Sequence, residues 1–258
     1  MGTYLLFKAK ERVDHAGASS LERIERFGMN DSLPAAKIRG IARDAFDSIG
    51  AMALVRRETA ALHARTENLR VFRRLFEQDY TIAEYRHLLA GLHRFHAPLE
   101  AMLEDAMHPD LQPVLSERFR TPLLERDLRG VGVDSMPPRA AIRGAVDPRS
   151  VEAQLGYWYV IEGSKLGGRI IHRRLAAQLG EPAAHCTAFF AGEGDRTGAD
   201  WRAFAALVER TIRSGSSRTD VFVDAAKWAF LLAIRVLAAP AARGDRRSLN
   251  PSEAEHDG

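Results

Sequence analysis

The sequence predicts an all-α protein built as one helical bundle, and three observations carry that reading. From Val55 to Leu237 apolar residues recur at spacings of three, four and seven, the repeat of a buried helix face. No run alternates apolar and polar residues as a half-buried strand would, and no Asn-Gly hairpin stands between two such runs. The breaks between periodic segments carry helix start and stop signals, and no unit of 20 to 50 residues repeats.

Residues 1 to about 50 mix charges and glycines with weak periodicity and form an extension, with one plausible helix around Pro34 to Ile49. Too few large apolar residues fall there for a core. Met52 lies where strong patterning begins, so an upstream start codon explains the extension as well as a function of its own does. The helical domain then occupies 51–240. Leu62, Leu69, Phe72 and Phe76 predict a first helix over roughly 54–78 that buries those four and leaves Arg65, Arg73 and Arg74 outside.

Thr81 followed by Glu84 is a capping-box pattern, and it opens a second helix through Leu88, Leu89, Leu92 and Phe95 that Pro98 should kink or interrupt. His108-Pro109 is a break, Leu111 to Leu128 reads as one or two short helices, and the Gly- and Pro-bearing stretch 130–148 is a connection. A long helix starts near Asp147 to Ser150, passes Leu155, Tyr159 and Val160, continues beyond a glycine cluster and stops at Gly180 and Pro182. Two more follow, near 199–214 with Trp201, Phe204, Leu207 and Val208, and near 218–239 with Phe222, Ala226, Phe230, Ile234 and Leu237. Seven or eight helices result. The charged tail, 241–258, is expected to be disordered.

Composition narrows the function. Lys and Arg number 37 against 34 Asp and Glu, so the net charge is +3, and no basic block marks a nucleic-acid partner. The longest apolar run, Trp228 to Ile234, is far below the roughly 20 residues of a membrane span. The first 30 residues hold no secretory apolar region, and Cys186 is the single cysteine; both fit a cytoplasmic location. Walker-type and Gly-x-Ser-x-Gly signatures are absent from the sequence.

Two features stand out. Glu162-Gly163-Ser164-Lys165-Leu166-Gly167-Gly168 places three glycines in six positions between strongly apolar flanks, at about 1 kcal/mol each if the segment is helical. Either the segment is a loop joining two helices, or it is a kinked helix whose bare backbone lets something flat come close. The second feature is His63, with Glu67 one turn later, where a carboxylate can orient an imidazole that ligates a metal. The same pattern also suits a surface pair. His93 and His96 lie three apart, and Glu84-x-x-His87 is half of a di-iron signature whose only other occurrence, Glu253 to His256, falls in the tail.

Taken together, the run from Leu155 to Gly168 resembles the distal helix of bacterial haem oxygenases, and Leu54 to Glu67 resembles their proximal helix. Trp201-x-x-Phe204 and the Ala226 to Phe230 region are similar to the C-terminal half of that family, so the likeness spans about 54–239. The resemblance implies a single all-α domain holding haem between a proximal histidine and a kinked, glycine-rich distal helix. It makes His63 the axial ligand to the haem iron, Glu67 its orienter, and Gly163, Ser164, Gly167 and Gly168 the residues over the reacting face. Trp158 and Arg56 join the cofactor-binding set, with Arg57, Arg210, Arg213 and Lys227 as further cations for the propionates. Animal members carry an aspartate where this chain has Ser164.

The implied reaction opens haem to biliverdin with release of carbon monoxide and ferrous iron, using O2 and electrons from an external reductase or ferredoxin. The implied partners are haem, a ferredoxin- or flavoprotein-type donor, and a biliverdin-using photoreceptor if the product is not simply a route to iron. A non-catalytic haem carrier or sensor on the same fold is the competing reading, and an all-α assembly helper that binds no haem is a third.

Overall fold

A computed structural model of the chain describes residues 50–136, 141–144, 146–180, 185–214 and 219–239. Expectations for the extension, including its helix around Pro34 to Ile49, and for the tail lie outside the described residues. Among the described residues every regular element is helical: α1 (Ala51–Glu67), α2 (Arg70–Arg73), α3 (Ile82–Asp105), α4 (Gln112–Leu115), α5 (Thr121–Gly130), α6 (Val151–Leu179), α7 (Ala188–Ala191), α8 (Thr197–Ser214) and α9 (Thr219–Leu237), with single 3-10 turns at Arg74–Phe76 and Gly194–Arg196.

Local chemistry places several of these boundaries. The Thr81 hydroxyl accepts from the Glu84 amide while the Glu84 carboxylate accepts from the Thr81 amide, so both ends of the capping box close and α3 begins where the sequence says. Ser150 caps α6 through the Ala153 amide, and Gly180 ends it with φ at 62°, a backbone region open chiefly to glycine. Pro98 lies inside α3, which continues past it to Asp105 without interruption.

The first helix departs from expectation. It ends at Glu67, where the Asn68 side-chain amide donates to the Ala64 carbonyl, and Leu69 turns extended before the short α2. Leu62, Leu69 and Phe72 are consequently half-buried and Phe76 is exposed, so they are not one buried face. Leu75 is the fully buried residue of that turn. Arg74 is not simply solvated either, since its guanidinium donates to Glu77, Asp79 and Glu84.

The core forms where α6 and α9 meet. A Cβ on Gly156 would stand 2.3 Å from the Phe222 carbonyl oxygen and 2.7 Å from the Ala225 Cβ, so only glycine lets these two helices approach as they do. Both α8 and α9 pack against α1 as well as against α6 and thereby join the two helices that carry the candidate residues. The N-terminus of α1 is closed from outside the helix. The Glu209 carboxylate on α8 accepts from the Ala51 and Met52 amides at 3.1 and 3.0 Å and satisfies donors a helix start leaves open.

Candidate functional site

On α1, Met52, Arg56, Thr59, His63 and Glu67 recur at three to four residues and share one stripe. Thr59 is buried, its hydroxyl donating to the Val55 carbonyl at 2.6 Å, and the Tyr159 phenol of α6 lies near it. Burial pushes the Tyr159 phenol above its ordinary value, with the Thr59 hydroxyl and the Arg56 charge pulling the other way. Thr59 lies one turn before His63 on α1, and Tyr159 one turn before Gly163 on α6.

The His63 side chain is 36% exposed. Its ring meets Phe230 of α9 edge-on, 5.8 Å between centroids, and its Nδ1 lies 3.7 Å from a Glu67 oxygen. That spacing is ion-pair range rather than a hydrogen bond. With Nδ1 turned to the carboxylate, Nε2 is the ring nitrogen on the far side. A second pair of the same spacing, His96 and Glu100 on α3, is tighter at 2.8 Å but plays a different part. The His96 ring is packed between Phe95 and Phe189 and is 1% exposed, and Glu100 accepts from the Arg120 and Thr121 amides and from the Thr121 hydroxyl. It caps the start of α5 and leaves no open ligand position. No group of three His, Cys, Asp or Glu with metal-binding geometry occurs among the described residues.

The glycine cluster is helical. α6 runs unbroken from Val151 to Leu179, which overturns the reading of a loop between two helices. Its glycines have different reasons. At Gly168 a Cβ would stand 2.6 Å from the Phe190 carbonyl oxygen, so that glycine is consumed by the packing of α7. Gly163 has no such need: the nearest atoms to a Cβ there belong to the Trp201 ring, at 3.8 Å, an ordinary contact. Gly163 and Gly167 lie half-exposed with Leu166 and Ile170, and Ser164 is exposed, its hydroxyl donating to the Ile161 carbonyl at 2.7 Å.

Trp158 is placed elsewhere. It is fully buried, stacked on Phe119 at 5.3 Å, with its indole N–H unpartnered, on the face of α6 that also bears Glu162. Arg56 is exposed on the His63 stripe, whereas Lys227 is engaged with Glu58 at 3.1 Å and Arg57 with the same carboxylate. The Arg213 side chain lies outside the described residues. Sequence reasoning missed Thr59 and Tyr159 as neighbours across α1 and α6; Tyr159 stood in the quoted motif as a mere flank. Arg118 was also missed, because nothing local marks it.

A flat apolar macrocycle bearing acidic groups fits these residues. A half-exposed imidazole, a helix-interior glycine, Gly163, that the packing around it does not require, half-exposed apolar neighbours and an exposed arginine are what such a ligand requires. Comparisons agree. Residues 50–239 match the family model described as heme oxygenase. The heme oxygenase of Xanthomonas campestris pv. campestris (strain 8004) is 36% identical over 145 residues, 55% of this chain and 81% of that one. In fold, the heme oxygenase from Leptospira interrogans superposes with a TM-score of 0.60 at 17% identity, covering 74% of this chain and 99% of that one. The NO- and CO-bound heme oxygenase from Neisseria meningitidis superposes with a TM-score of 0.55 at 20% identity, covering 73% and 90%.

Proposed function

This chain belongs to the heme oxygenase family, and from that premise we propose that His63 and the Gly163–Gly167 backbone are the two walls of its haem site. The protein is a haem-degrading oxygenase. When bound, haem supplies both the iron that takes up oxygen and the ring that is opened, and the products are biliverdin, carbon monoxide and ferrous iron. The observation that carries the assignment of the walls is Gly163, a helix-interior glycine at about 1 kcal/mol whose missing side chain no neighbour within the protein demands.

Each remaining residue then has a task. His63 would hold the iron through Nε2, and the Glu67 carboxylate, 3.7 Å from Nδ1, would attract the other side of the ring and favour that orientation. Ser164 keeps its hydroxyl proton on the Ile161 carbonyl, so its hydroxyl is not free to act as an acid over the reacting face. Arg56 takes a propionate at the mouth of the site. Gly168 and Trp158 act from behind, the first by admitting α7 and the second by filling the core. Electrons come from an external reductase or ferredoxin, and O2 is the co-substrate. No described helix is long and apolar enough to cross a membrane.

The test is an anaerobic haem titration of the wild type and of His63→Ala, followed by reduction and admission of O2. The wild type binds one haem and yields bilin; the variant loses the native axial ligation and regains it with added imidazole. A wild-type complex whose macrocycle survives oxygen and an electron donor refutes the enzyme and leaves a carrier, and no haem complex at all refutes both.

A further inference from the structure

A helix stripe made of glycines cannot be held in place by its own side chains, so it has to be held from behind. Glu162 and Lys165 are the groups on that rear face. The Glu162 carboxylate is buried, one oxygen accepting from the Lys165 ammonium and the other from Arg118 Nη1 at 3.0 Å. Arg118 belongs to the 116–120 segment between α4 and α5, far in sequence from both partners. The same Nη1 donates to the Asp200 carbonyl at 3.4 Å, and Nη2 lies 3.7 Å from the Asp200 carboxylate at the start of α8.

The chain positions give this clamp its meaning. Glu162 immediately precedes Gly163, and Asp200 immediately precedes Trp201. Among the described residues, chain neighbours apart, Trp201 is the one side chain within 4 Å of a Gly163 Cβ position. A single guanidinium thus grips the chain neighbours of Gly163 and of the ring that borders it. We propose that Arg118 is a positioning residue for haem cleavage: by joining Glu162 to Asp200 it fixes Trp201 against Gly163 and sets the height at which the glycine backbone stands over the haem.

A buried ion pair is weak evidence for stability, because a well-packed apolar group serves as well. A planar fork that reaches α6 and α8 at once supplies orientation, which neither an apolar group nor a lysine reproduces. The gap above the haem is sensitive to such orientation, since small displacements of positioning groups are felt strongly in rate.

The inference rests on the haem-oxygenase reading. Its test compares wild type with Arg118→Met and Arg118→Lys, and with Arg74→Met, which breaks the Arg74 cluster beside α2 without touching Glu162 or Asp200. In the haem-loaded proteins the readouts are the carbon monoxide stretching band of the reduced CO complex, the biliverdin isomer ratio, and kcat against KM. In the haem-free proteins the readout is amide hydrogen exchange over 160–170 and 198–204.

Arg118→Met is expected to bind one haem, broaden and shift the CO band, give a mixed set of isomers and lower kcat by about tenfold with KM little changed. It should also speed exchange in both segments together. Arg118→Lys should fall between it and the wild type, and Arg74→Met should alter thermal stability alone. An Arg118→Met protein with the wild-type CO band and isomer ratio, losing only as much stability as Arg74→Met, overturns the proposal; if Arg118→Met does not fold, Arg118→Lys is judged by the same criterion. A wild type that forms no bilin refutes the functional reading instead, and the exchange experiment on haem-free protein still decides the clamp.

Discussion

Replacing Gly163 by alanine should stabilise the haem-free protein and impair the haem-bound one. The added Cβ meets only the Trp201 ring, at 3.8 Å, so no repulsion opposes the helix-propensity gain of about 1 kcal/mol. For a domain of this size that gain is an increase of about 2–4 °C in melting temperature. Gly156→Ala provides the contrast on the same helix. There the Cβ would stand 2.3 Å from the Phe222 carbonyl oxygen and 3.0 Å from the Ala226 amide nitrogen, backbone atoms that cannot swing aside. α6 and α9 would have to separate by about 1 Å, at an overpacking cost near the upper end of about 1–3 kcal/mol, which leaves a net loss of about 2 kcal/mol after the propensity gain. Calorimetric melting of both haem-free variants, followed by haem titration, checks the pair. If Gly163→Ala melts below wild type, or binds haem and opens it at the wild-type rate, the assignment of that glycine to the ligand is wrong.

Two further substitutions probe the scaffold. Burial alone would raise the Glu100 carboxyl, but the bonds from His96 and Thr121 outweigh it and hold the group below its ordinary value, so its contribution is full above the unfolded value of about 4.3 and is lost as pH falls through the lower folded value. Glu100→Gln should therefore lose about 3 kcal/mol near neutrality, with the difference from wild type shrinking below about pH 4; urea melts from pH 7 to 3 that show a constant difference would contradict this. Glu209→Ala should cost about 1 kcal/mol by uncovering the first amides of α1, and should speed haem loss to an apo-globin acceptor because α1 carries His63; unchanged release would separate the cap from the ligand site.

Local signals were readable wherever the chemistry that makes them is local. Thr81 with Glu84, Ser150 with the amide three residues on, and Gly180 past the end of α6 are complete within a few residues, and each boundary stands where those residues put it. The first helix was drawn too long because its apolar spacing continues through Leu69 and Phe72, whereas the Asn68 side chain closes α1. α7 left no periodic trace at all: its first amides are taken by the Asp127 carboxylate, some 60 residues upstream, at 2.9 and 2.8 Å. For the site, the sequence indicated which helix holds the glycines and which residues flank them. It could not distribute the glycines among their uses, since whether a missing Cβ faces Phe190, Phe222 or open space depends on what packs there. Arg118 is the extreme case, an arginine among many whose two partners come from distant parts of the chain.

The carboxylate that closes the start of α1 lies 157 residues downstream of Met52. During translation at about 5–20 residues per second, that helix leaves the ribosome roughly 8 to 30 s before Glu209 does. α8 and α9, the surfaces on which α1 rests, are equally late. The nascent chain thus displays its imidazole long before the wall that should face it has a foundation. Pigment capture in the finished geometry has to await the synthesis of α8 and α9, and a chain cut short before α8 would have the histidine in hand and nowhere to use it.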